Sequence, residues 1–123
     1  MPKGDRLLTG LIAKVFRKRS SSIHVPEGHK LFRCLVRGEN FPGAILGSPN
    51  PIGFYTTRYA AAESPAAAEM LVLSILRSDA SLQLPPGVEK SPDTRVFFER
   101  IEEVPSDTPP VPNKGFSFYE MGT

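Results

Sequence analysis

Apolar residues recur along this chain in short runs whose period changes from one run to the next. In residues 5–19, DRLLTGLIAKVFRKR, Leu7, Leu8, Leu11, Ile12, Val15 and Phe16 fall one and four positions apart. That spacing fills one half of a helix surface and predicts an amphipathic helix. Gly10 weakens it, and Arg17, Lys18 and Arg19 suit its end, where the helix dipole favours cations. In residues 31–37, LFRCLVR, the period drops to two. Phe32, Cys34 and Val36 share one face and Leu31, Arg33, Leu35 and Arg37 the other, which predicts a strand. GENFPG at 38–43 signals a turn, and GFYTTRYAAA at 53–62 reads as a second strand, with Tyr55, Thr57 and Tyr59 on one face and Thr56 and Arg58 on the other, joined to the first as a hairpin with a long loop.

Ser64-Pro65 opens the main helix, 64–79, since serine caps the first free N–H groups and proline is tolerated at the first helical position. Ala68, Leu71, Val72, Ile75 and Leu76 form its expected buried stripe, while Met70 and Leu73 lie on the other side. A helix apolar nearly all round needs cover twice. A sheet supplies one cover, and the N-terminal helix or a second copy of the chain is expected to supply the other. RVFFERIEEV at 95–104 predicts a third strand, with Val96, Phe98 and Arg100 on one face and Phe97, Glu99, Ile101 and Glu103 on the opposite one. A last short strand follows at 116–121, with Phe116 and Phe118 sharing a face. The order predicts an α+β fold: a mostly antiparallel sheet of about four strands, the main helix on one face, and an N-terminal amphipathic helix. Residues 23–123 are expected to form one domain behind a basic segment, 1–22.

The series GENFPG, GFYTTRY followed by a Ser-Pro-capped alanine-rich helix, FFERIEEV and GFSFYE resembles a group of small bacterial proteins without an assigned activity. The resemblance covers residues 31–121. It implies an α+β domain of bacterial source and brings no catalytic residue or cofactor.

Charge sharpens the picture. The chain of 123 residues carries a net +2, but residues 1–37 alone hold +7 and the remainder −5, counted from the same sequence. Such asymmetry marks either an arm for an anionic surface or two halves that pair within one fold; the second is the simpler reading. Of the thirteen prolines, all but Pro2, Pro26 and Pro65 cluster at 42–51, 85–92 and 105–112, which divides the chain into its segments. The single cysteine, Cys34, fits a reducing, cytoplasmic setting.

Candidate chemistry is sparse. Cys34 alternates with core-type residues, so its thiol is expected to pack, not to pair with His24 or His29 as a nucleophile. His24, Glu27 and His29 lie close in sequence, but Pro26 and Gly28 give no helical face to bring them together on a metal. No phosphate-loop, dinucleotide or hydrolase motif is present. Glu39, Asn40, Tyr55 and Arg58 make the best polar cluster, with a Glu39–Arg58 ion pair and an asparagine bonding its own turn as its simplest form. Arg33, Arg37, Tyr55 and Tyr59 on a sheet could stack bases, yet the acids Glu99, Glu102, Glu103 and Asp107 oppose phosphates.

These features point to a non-enzymatic protein that associates with another protein, as an inhibitor or immunity protein occludes its target, or with a second copy of itself. The expected contact residues are Leu7, Leu11, Met70, Leu73 and Arg77, with no cofactor or metal. The alternative is binding to nucleic acid or an anionic membrane surface through Arg17, Lys18 and Arg19. That alternative predicts salt-sensitive retention on heparin that disappears when all three become alanine; unchanged elution of the triple variant would exclude it.

Overall fold

The period-two segments pair into one antiparallel sheet in a computed structural model that describes residues 23–110 and 115–122. Strand β1 (Lys30–Phe41) forms a hairpin with β2 (Ile52–Ala62), bridged by a short 3-10 turn at Gly43–Leu46. Helix α1 (Pro65–Ser78) follows, then a 3-10 turn at Ala80–Leu82, β3 (Arg95–Val104) and β4 (Ser117–Glu120). The strand order is β3-β1-β2-β4, every neighbour antiparallel. This is the α+β architecture expected, with one main helix on one face. The N-terminal helix lies outside the described residues.

The core forms where strand alternation meets helical period. Phe32, Cys34 and Val36 of β1 and Phe54, Ala60 and Ala62 of β2 face the helix, which answers with Ala68, Val72 and Leu76. The serine cap holds as predicted: the Ser64 hydroxyl accepts from the Ala67 N–H at 3.1 Å, with proline next in the first turn. At the far end of the sheet, Phe41, Phe116 and Phe118 surround Phe54, with Phe54–Phe41 and Phe54–Phe116 centroids 5.0 and 5.1 Å apart. Gly38 makes room for this ring, since a Cβ there would stand 2.2 Å from Phe54. A smaller cluster on the other face joins Leu31, Tyr59 and Val104, with Ile23 and Val25 packed against it.

Four expectations are corrected. The GENF segment is strand and not turn: β1 runs on to Phe41 through an irregularity between Gly38 and Phe41, where Asn40 takes a left-handed φ of 58°. The asparagine side chain bonds the Asp93 carbonyl and not its own turn. In β3 the pairing shifts at Glu99, because Leu35 faces Arg100 while Val36 faces Phe98. One extra residue reverses the alternation beyond it. Ile101 therefore joins Val96 and Phe98 against the core, and Arg100 moves to the opposite face, near Glu102. The buried helix stripe is also narrower than expected, since Leu71 and Ile75 stay substantially exposed.

Arg58 ties the layers together. It projects from β2 toward the helix and is only 4% exposed. Its Nε donates to the Thr56 hydroxyl at 3.0 Å, and Thr56 donates to the Gly115 carbonyl at 2.7 Å. Its NH2 meets Asp79, the residue that ends α1, at 3.3 Å. Removing one partner of a buried pair strands the other charge away from water. Asp79→Ala is expected to lower unfolding stability by about 3 kcal/mol, read as a shift of the urea midpoint.

Candidate functional site

The helix that completes the core also presents three exposed large apolar side chains, Met70 being the most exposed among the described residues. Met70 is 72% exposed, Leu71 44% and Ile75 43%. Positions 70, 71, 74 and 75 lie along one side of a helix, so these three residues and Ser74 form a continuous uncharged stripe. The expected contact pair separates here: Met70 projects into solvent, whereas Leu73 is partly covered and looks toward β3. Arg77, two turns on from Met70, is exposed beside the stripe. Leu7 and Leu11 lie outside the described residues, so the expected cover from the N-terminal segment stays a proposal.

The polar cluster expected from sequence does not assemble. Glu39, Tyr55 and Arg58 are divided by the sheet: Arg58 points to the helix and Asp79, while Glu39 bonds Arg37 on the opposite face. The Glu39–Arg58 pair is therefore replaced by two others. The alternation of β2 already put Tyr55 and Arg58 on opposite faces; the missing signal was Asp79, which lies beyond a helix and becomes a neighbour of Arg58 only in three dimensions. Asn40, at the strand irregularity, is committed to backbone: its side chain to Asp93, and its N–H toward the Met121 sulfur.

The helix-free face of the sheet matches the basic strand to the acidic one. Arg37 Nε donates to Glu99 at 2.6 Å, and its guanidinium lies 4.3 Å from the Phe97 ring centroid. Arg33 Nε donates to Glu102 at 2.8 Å; on the helix side of the same strand pair, Lys30 stands 3.8 Å from Glu103. The hydrogen bonds that the two arginines donate push both guanidiniums above their ordinary range: to Glu102, then Tyr59, for Arg33, and to Glu99 for Arg37. Thus the three described cations of residues 1–37, Lys30, Arg33 and Arg37, meet acids of β3 within one fold, while the other six lie outside the described residues. Tyr55 and Tyr119 remain exposed beside them, with ring centroids 5.9 Å apart, but Tyr59 is buried. A sheet surface whose arginines are already paired with carboxylates offers little to a phosphate backbone.

Among the described residues no group of three histidine, cysteine, aspartate or glutamate side chains is placed to hold a metal ion. His29 Nδ1 lies 3.4 Å from the Glu27 carbonyl. No helix among them is long and apolar enough to cross a membrane. Arg17, Lys18 and Arg19 lie outside the described residues.

Cys34 is fully buried, facing the helix, as expected. Burial, with Glu69 adding to it, pushes its thiol from 9.0 up to about 11. The folded protein therefore keeps this proton over a range where the unfolded chain gives it up, and stability falls as pH rises from about 9 to 11. Cys34 is expected to resist a maleimide at pH 8 until the protein is unfolded. Between pH 9 and 11 the wild type should lose more stability than Cys34→Ala; rapid native labelling or identical pH profiles would refute the assignment. Comparison with protein-family models, with curated proteins and with solved structures finds no match to this chain.

Proposed function

We propose that this chain works by association with another protein, without chemistry of its own, through the exposed stripe of α1. The observation that carries the reading is the placement of Met70, Leu71 and Ile75, three large apolar side chains on one side of one helix, in water. An apolar patch on a folded surface is a common mark of an interaction site. The stripe holds no charge, so its partner is a protein with an uncharged apolar cleft, into which the helix lays its side chains at helical spacing. Blocking such a cleft is how an inhibitor or immunity-type protein acts.

Other observations support association over catalysis. Cys34 is sealed in the core with its thiol pushed up, and Arg58 is committed to Asp79 and Thr56. Glu39 and Tyr55 stand across the sheet from Arg58. The groups that could have made a reactive cluster are thus spent on structure.

The test places a photo-crosslinker at the stripe, as Met70→p-benzoylphenylalanine, and at exposed Asp107 as a control, in cells of the source organism. A single discrete adduct at position 70, absent at 107 and abolished by Ile75→Glu, is expected. An adduct with the chain itself would replace the foreign partner by a second copy. No adduct, or equal adducts at both positions, would overturn the reading.

A further inference from the structure

A second feature, independent of the α1 stripe, lies where the end of the helix fails to cover the start of β3. A cavity of about 540 Å³ opens there, within the range of roughly 300–1,000 Å³ common for small-molecule sites. Phe41, Leu73, Leu76, Leu82, Leu84 and Val96 make its apolar walls. These come from the end of β1, the last turns of α1, the 3-10 turn with the chain after it, and the start of β3, so four separate parts of the fold converge on one space.

Its polar groups divide into two kinds. Gln83 and Thr94 are used internally: the Gln83 amide donates to the Arg77 and Asp79 carbonyls, both at 3.0 Å, closing the end of α1, and the Thr94 hydroxyl donates to the Asn40 carbonyl at 2.8 Å. Arg77 and Lys90 are not. Both line the cavity, and neither side chain has a carboxylate partner among the described residues. No aspartate or glutamate lines the space. This sets them apart from Lys30, Arg33, Arg37 and Arg58, each of which meets an acid.

An apolar recess bordered by two cations that have no carboxylate partner among the described residues is complementary to a molecule with an apolar body and an anionic head. We propose that this cavity binds an amphipathic carboxylate of the medium-chain fatty-acid class, its alkyl chain against Leu73, Leu76, Leu82 and Val96 and its carboxylate held by Arg77 and Lys90. The body contributes by leaving water. The head contributes charge-assisted hydrogen bonds, which a neutral head of equal size makes less strongly. A flat surface partner fits less well, because the space is a half-open recess and not a plane.

The experiment titrates the full chain with sodium decanoate below its micellar concentration, with decanol and butyrate as parallel probes. Calorimetry gives the affinities and amide NMR shifts give the location. Decanoate is expected to bind at least tenfold more tightly than either probe, shifting amides of residues 73–77, 82–84 and 94–96. Arg77→Gln with Lys90→Gln should weaken decanoate at least tenfold while leaving decanol unchanged. Leu73→Trp, checked for folding by its thermal transition, should block both; Val96→Phe serves if that variant does not fold. Equal binding of decanoate and decanol, shifts confined to the Met70–Ile75 stripe, or no binding would overturn the proposal. Ile75→Glu, which disables the stripe, is expected to leave decanoate affinity intact, so this assignment and the association reading fail separately.

Discussion

One helix resting on one face of a four-stranded sheet is the constraint from which the rest of this molecule follows. A helix can bury only the side it turns to the sheet, and α1 spends that side on Ala68, Val72 and Leu76 against Phe32, Cys34, Val36 and Phe54. Its sequence carries more apolar residues than that contact can absorb. The surplus appears as two kinds of surface: the stripe of Met70, Leu71 and Ile75 in solvent, and Leu73 at the edge of a cavity that the helix does not fill. Both candidate interaction sites are thus consequences of a single packing geometry.

Polar interactions fix how that geometry closes. The buried Arg58 is satisfied by Thr56 and by Asp79, the residue at which α1 stops. Because a buried guanidinium without partners is costly, this pair sets where the helix ends over β2. On the opposite face, Arg33 and Arg37 are met by Glu102 and Glu99 across the β1–β3 boundary. Most of the exposed pairs on that face contribute little stability individually. They neutralise the cations of that face, whereas Arg77 and Lys90, beside the apolar cavity, have no carboxylate partner among the described residues.

Much of the fold was legible from local pattern. The alternation of LFRCLVR and of GFYTTRYAAA assigned the faces of β1 and β2 correctly, including Cys34 toward the core and Tyr55 opposite Arg58. The Ser64-Pro65 start of α1 was equally readable, because capping is a contact between residues three apart. The candidate polar site was not. Glu39 and Arg58 looked compatible as charges, but Glu39 has a nearer partner two residues back, Arg37, and the partner of Arg58, Asp79, depends on the path of the helix. The split of Leu73 from Met70 was hidden for the same reason: both sit on the less apolar side, and only the loop from Leu82 to Thr94 covers one and not the other.

The sequence by itself determined the strands β1 and β2 with their facing residues, the start of α1 and the excess of apolar surface on that helix, since these depend on spacings of two, three and four residues. Tertiary structure decided the rest. A single bulge at Glu99 reversed the faces of the end of β3, a partner far along the chain claimed Arg58, and the meeting of four segments enclosed the cavity. Each of these depends on contacts between residues distant in sequence, and no local period records them.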